Sequence, residues 1–252
     1  MKQPNAVMFH VGRSGSRVLG DLFHQHPQVY WDGEVYERLF HDLERILGRQ
    51  ARAGDVTIDP TAHLQGRRVH ACSRESLYGF EVEFFHLEIL QLELVDFLHR
   101  LDALGFERFV VLERTNTLRK VISSLIAHKT GRWHVKQDGE DPARVRIDID
   151  RVMIDRSEKT LIDYLCGYAE SFRQLRAALQ GRTTLYLTYE DDIYPDPLIA
   201  YRRTCSFLGL LPHDVAVRFK KTNPFELKQM VDNLEDVAKS LRGTPFEWMI
   251  CD

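Results

Sequence analysis

The segment FHVGRSGSRVLGDLFHQHPQV, residues 9–29, constrains the fold more than any other: an apolar run ends in a loop of Gly, Ser and Arg and passes at once into a helical pattern. A strand over Ala6 to Val11 that feeds a helix over Ser16 to His24 is the start of a β-α-β unit, and such units build parallel sheets. Backbone N–H groups at a helix start carry partial positive charge and lack intrahelical partners, so a loop in this position draws an anion. Gly12 and Gly15 permit close approach, Ser14 and Ser16 add hydroxyl donors, and Arg13 and Arg17 are the cations nearest the turn. The nucleotide-triphosphate signature G-x-x-x-x-G-K-[ST] is not met, because no Gly-Lys pair lies between Gly12 and Ser16. An ordinary strand-to-helix turn with an N-cap Ser is the plainer reading of the same residues.

The alternation continues along the chain. Leu77 to Phe84, Phe109 to Leu112 and Thr184 to Thr188 are short and rich in β-formers, and Glu34 falls near the end of a second strand after the His26-Pro27 turn. Asp59-Pro60 reads as an N-cap with Pro at the first helical position. Helices are expected over Leu87 to Leu104, Leu118 to Thr130, Ser157 to Leu179, Leu198 to Phe207 and Glu226 to Leu241, each stopping before a Gly. The order implies an α/β fold with a P-loop-like parallel β-sheet flanked by helices, and ligands of such sheets gather beyond the carboxyl ends of the strands. With 252 residues, 44% hydrophobic and 28% charged, the chain can bury one large core, and a single domain over 1–252 is expected.

A formal charge of -3 argues against a general nucleic-acid binder, although residues 100–136 carry eight Lys/Arg against Asp102, Glu107 and Glu113. Four separated cysteines, Cys72, Cys166, Cys205 and Cys251, offer no C-x-x-C for zinc or redox chemistry and read as reduced thiols. No run resembles a signal peptide or a membrane span, so a cytoplasmic location is the expectation. Internal repeats are absent, and Trp133 to Arg151 reads as a polar surface excursion, with a lid as one use.

Two further groups carry chemistry. Arg114 lies just past a buried strand, and Ser123 and Ser124 lie on the helix that follows; an Arg with a Ser hydroxyl makes a receptor for a second phosphate, while Arg119, Lys120 and Lys129 read equally as a solvated face. Glu34, in VYWDGEVYE, can accept a proton from a hydroxyl nucleophile, and on the residues alone Glu37, Glu44 and Glu190 serve as well. No His/Cys/Asp grouping has a metal-ligand spacing, and no metal is expected.

In combination these pieces resemble the sulfotransferases that use 3′-phosphoadenosine 5′-phosphosulfate, nearest to the bacterial carbohydrate and tyrosylprotein branches, and the resemblance runs over most of the chain. Arg13-Ser14-Gly15-Ser16 matches the loop that in the family grips the 5′-phosphosulfate; Arg114 and Ser123 match its 3′-phosphate receptor; Gly33-Glu34 falls where a catalytic base stands. LYLTYEDD, residues 185–192, is similar to the family's tail region, in which Tyr189 matches a residue lining the nucleotide site. FKKTNPFELKQMVDN, residues 219–233, resembles a loop that closes over the nucleotide and would involve Lys221 and Thr222. The resemblance implies a fold related to nucleotide kinases and in-line transfer of a sulfuryl group, without a metal, to the hydroxyl of a glycan or small metabolite. Two departures stand out: the Arg-to-Ser interval leaves Ser123 and Ser124 both open, and the strand Gly79-Phe80-Glu81-Val82-Glu83 has no lysine where several relatives carry one. A small-molecule kinase and a noncatalytic nucleotide or glycan-binding module are the rival readings. The acceptor stays open among glycan, lipid-linked sugar, phenolic metabolite and peptide tyrosine, as do the oligomeric state and the use of Trp31, Tyr36, Tyr78, Phe80 and Trp133 as an acceptor platform or as core.

Overall fold

The computed structural model describes residues 5–71, 76–134 and 142–251. The chain divides into two compact units, Met1–Glu113 with Arg173–Val217, and Arg114–Phe172 with Arg218–Asp252.

The first unit is built on five parallel strands, β1 (Asn5–His10), β2 (Val29–Glu34), β3 (Leu77–Glu83), β4 (Phe106–Glu113) and β7 (Thr184–Thr188), in the order β2-β3-β1-β4-β7. β1 and β3 are buried along their whole length, as strands inside a helix-covered parallel sheet must be, and this is why they read as near-continuous apolar runs. The edge strand β7 keeps Tyr186 exposed. Helices α1 (Ser16–His24), α2 (Val35–Leu47), α3 (Pro60–Ala71), α4 (Phe84–Leu90), α5 (Leu94–Ala103) and α8 (Pro197–Leu208) flank the sheet, so the α/β expectation holds. Phe9, Phe23, Trp31, Tyr36, Phe80, Phe97 and Phe109 fill its core.

The second unit contains α6 (Thr117–Thr130), the hairpin β5 (Val152–Ile154) and β6 (Ser157–Lys159), the start of α7 (Leu161–Ala178), and α9 (Leu227–Met230) and α10 (Leu234–Leu241). Inside it, the amine of Lys120, wholly buried, ion-pairs with Asp155 and donates to the Tyr168 hydroxyl at 2.6 Å. Asn233 exchanges two hydrogen bonds with the Ile147 backbone, each 2.9 Å.

Three helices expected from the sequence are interrupted. Leu87 to Leu104 is α4 and α5, because Gln91 takes a left-handed conformation (φ 53) that ends one helix, and Glu93 opens the next. Ser157 to Leu179 begins instead as β6: Asp155 and Arg156 both have positive φ (48 and 57), the backbone of a two-residue hairpin turn. Glu226 to Leu241 breaks at Val231, which is extended and bridges Val145. Helix α2 had no expected counterpart. The excursion at 133–151 falls partly outside the described residues, as does Cys72.

Candidate functional site

The loop leaving β1 is shaped by two left-handed residues, Arg13 (φ 67) and Gly15 (φ 88), which turn the chain sharply into α1. Successive backbone N–H groups around such a turn form a concave anion-binding nest, and no side chain caps the first turn of α1. Ser14 is fully buried, and its Oγ has no hydrogen-bond partner among the described residues. Gly15 is required twice over: its φ is left-handed, and a Cβ there would lie 2.6 Å from Cγ2 of Ile193. Ile193 ends the helical turn Tyr189–Ile193, so the segment holding half-buried Tyr189 packs on this loop. Ser16 is buried and opens α1, while Arg17 points outward. Gly12 is used differently from expectation, because its N–H donates at 2.6 Å to Oε2 of Glu83 and is thereby taken from an anion.

Glu83 belongs to a cluster of ionisable groups at the carboxyl ends of three adjacent strands. The pairing of β2 with β3 shifts register between Trp31 and Glu34, and Gly33 sits there with φ 64, so the irregular strand end brings Glu34 level with Glu81. His10, at the end of β1 and wholly buried, donates from Nδ1 to the Val11 carbonyl at 3.1 Å. Its Nε2 lies 3.4 Å from Oε2 of Glu81 and 3.9 Å from Oε1 of Glu34. The other oxygen of Glu81 accepts the Trp31 indole N–H at 2.6 Å. Gly79 and Gly20 make that contact possible, since a Cβ on Gly79 would enter the Trp31 ring and one on Gly20 would crowd Oε1 of Glu81. Glu83 also caps α4, in a box with His86, whose Nδ1 accepts the Glu83 N–H at 3.1 Å.

The electrostatics follow. Burial alone would lower the His10 pKa, but the hydrogen-bonding reach of Glu81 and the charges of Glu83, Glu81 and Glu34 outweigh it and lift the ring to about 9. Glu34 moves up to about 7, first through desolvation and then through repulsion by Glu83, with His10 opposing. A third of its side chain (35%) still meets solvent, so the Glu34 carboxylate is the accessible member of the cluster.

The alternative carboxylates do not reach His10, although Glu37 lies 3.5 Å from Nε2 of buried His86. Glu37 and Glu44 bracket the exposed ring of His41 on α2, Glu44 also accepting the Ala51 N–H at 3.0 Å, and Glu190 lies in the turn after β7. Only Glu34 of these four is brought against His10.

In the second unit, Arg114 directly follows β4 and is buried. Asn116 caps α6, accepting the Arg119 N–H at 3.1 Å. Ser123 and Ser124 are both buried, and Oγ of Ser123 accepts from Nδ2 of Asn223 at 3.0 Å. Exposed Lys221 and half-buried Thr222 immediately precede Asn223, so that contact draws their segment to Ser123. Trp31, Tyr36, Tyr78 and Phe80 are core, whereas Trp133 is exposed and sets its ring edgewise on His128, centroids 4.9 Å apart.

Sequence reasoning passed over Glu81, Glu83 and His86. The signal was present in GFEVE, where two carboxylates alternate through an otherwise apolar strand; a strand buried on both faces must bury them too.

No protein-family model matches the chain, and no curated protein matches it. Among solved structures it is similar to the crystal structure of a sulfotransferase from Alicyclobacillus acidocaldarius, with 14% identity, 95% of this chain and 92% of that chain covered, and a TM-score of 0.49.

Proposed function

We propose that the protein transfers a sulfuryl group from 3′-phosphoadenosine 5′-phosphosulfate to the hydroxyl of a glycan or small metabolite, releasing 3′,5′-ADP. The observation that carries this reading is the left-handed turn at Arg13 and Gly15, with the unsatisfied Ser14 hydroxyl inside it and the accessible Glu34 carboxylate at the end of β2, against His10 of the strand that enters the loop. An anion nest beside a proton acceptor is what in-line transfer to an alcohol needs.

Glu34 takes the proton of the acceptor hydroxyl as its oxygen bonds to sulfur; the bond from sulfur to the bridging phosphate oxygen breaks, and its electron pair leaves with the nucleotide. Arg13 and the amides of Ser14, Gly15 and Ser16 hold the charge that develops on the leaving phosphate, and Arg17 adds positive potential at the first turn. A sulfuryl group bears less charge than a phosphoryl group, so fixed cations and dipoles can suffice. Arg114, Ser123, Lys221 and Thr222 are assigned to the 3′-phosphate, with Ser123 preferred over Ser124 because the Lys221-Thr222 segment is tied to it through Asn223. Tyr189 is assigned to the nucleotide, since its turn packs on the loop.

The test is a screen of acceptor hydroxyls with the full chain and the donor, read by mass. A gain of one sulfuryl group on an acceptor, with 3′,5′-ADP formed in equal amount, is the expected result. Nucleotide binding without transfer to any acceptor would leave a binding module, and transfer from ATP with magnesium a kinase.

A further inference from the structure

We propose that His10, Glu34 and Glu81 form a binding site for a first-row divalent cation of the zinc and cobalt class. Three adjacent strands deliver one ligand atom each, and all three atoms lie within 4.8 Å of one another. The spacings from Nε2 of His10, 3.4 Å to Glu81 and 3.9 Å to Glu34, suit a metal: ligands about 2.0–2.2 Å from a tetrahedral zinc stand roughly 3.4 Å apart.

The independent sign is the state of His10. Its Nδ1–H is donated to the Val11 carbonyl, so Nε2 is the nitrogen aimed into the cluster. That nitrogen is fully buried, has no hydrogen-bond partner among the described residues, and faces two carboxylates. A buried nitrogen facing two carboxylates calls for a positive centre between them, a proton in the ion-free protein and, in its place, a divalent cation when one binds. The surroundings are those of a ligand set already oriented. A backbone carbonyl fixes the imidazole tautomer and the Trp31 N–H fixes the Glu81 carboxylate, leaving Oε2 for the ion. Glu83, held by the Gly12 N–H and the start of α4, adds negative charge without ligating, and partly exposed Glu34 leaves an entry and a fourth position for water. One imidazole with two carboxylates favours zinc, cobalt or manganese over magnesium, which seeks oxygen alone.

The experiment is a titration of the metal-free full chain with Co²⁺, followed by its visible absorption and reversed with Zn²⁺. It needs neither donor nor acceptor, so it succeeds or fails independently of the transfer reaction. One equivalent is expected to bind. His10→Gln should abolish the band, and Glu34→Gln should weaken binding at least about tenfold. Glu34 is partly exposed, so its variant stays informative even where circular dichroism shows the His10 variant unfolded. His41→Gln is the control, because His41 with Glu37 and Glu44 is where an ion bound only at the surface would sit; the band should survive it. Absence of a cobalt band, unchanged cobalt affinity in Glu34→Gln, persistence of the band at full strength in a folded His10→Gln, or its loss in His41→Gln would overturn the site.

Discussion

Glu34 owes its position to one irregularity: the register shift at the end of β2, with Gly33 in the left-handed region, sets a carboxylate level with Glu81 instead of continuing the strand. As the proton acceptor of the proposed reaction, it should dominate turnover. Glu34→Gln is expected to lower kcat by about 10² or more while leaving 3′,5′-ADP affinity within about twofold, since general-base catalysis has that weight and the nucleotide does not use this residue. Steady-state kinetics with calorimetry checks both numbers, and near-normal turnover would move the base to another residue. A second expectation joins this role to the cation site. A carboxylate bound to a divalent ion is a poor base, so transfer should persist in EDTA and fall as Co²⁺ fills the site, in step with the absorption; full activity at full occupancy would remove Glu34 as the base. The two roles differ in how far the sequence discloses them. The place of Glu34 near the end of a second strand was legible after the His26-Pro27 turn, while its choice over Glu37, Glu44 and Glu190 came from the family resemblance alone. The His10–Glu81 pairing was not legible, because ligand-spacing motifs register neighbours along the chain, and parallel strands bring together residues that are distant in it.

At the scale of elements, local chemistry announced the turns that glycine makes and concealed those that other residues make. Helix α1 begins and ends where the pattern placed it, and the Asp59-Pro60 start of α3 is as expected, with the Thr61 N–H bonded to Oδ1 of Asp59 at 3.1 Å. The break at Gln91 and the hairpin at Asp155-Arg156 had no glycine to announce them, and residues other than glycine take positive φ infrequently. In the hairpin a tertiary constraint is visible: Asp155 is fixed by Lys120 and by the Tyr168 hydroxyl at 2.6 Å, so a lysine that reads as surface charge on α6 is a buried strut. The loop before α1 is the element whose integrity matters most for the proposed chemistry, and Gly15 is its weak point. Gly15→Ala meets both a left-handed backbone and the side chain of Ile193, and should destabilise the protein by at least about 1–2 kcal/mol from the backbone alone. Denaturant unfolding reads the stability, and nucleotide titration should show weaker binding even where the variant is folded. An alanine that leaves both unchanged would mean that the left-handed turn is not needed for the nest.

For the molecule as a whole, the proposed donor is a demanding ligand because it presents two separate anionic groups, to which two sets of residues are assigned: Arg13 to Ser16 for one, and Arg114, Ser123, Lys221 and Thr222 for the other. A ligand with only a 5′-phosphate engages the first set alone, so the protein should bind 3′,5′-ADP far more tightly than 5′-AMP. Hydrogen bonds to charged groups contribute roughly 1.5–3 kcal/mol each, so Arg114→Ala should weaken 3′,5′-ADP at least about tenfold. The same substitution should leave 5′-AMP nearly unaffected, because that nucleotide has nothing for Arg114 to hold. Arg13→Ala should behave oppositely and weaken both. Calorimetric titration of the two nucleotides against the three proteins reads these losses; the selective loss in Arg114→Ala is distinct from unfolding, which would depress both ligands together, and circular dichroism makes that check for Arg13→Ala. Equal affinity of the unmutated protein for 3′,5′-ADP and 5′-AMP would remove the 3′-phosphate receptor, and with it the feature that distinguishes this donor from ATP.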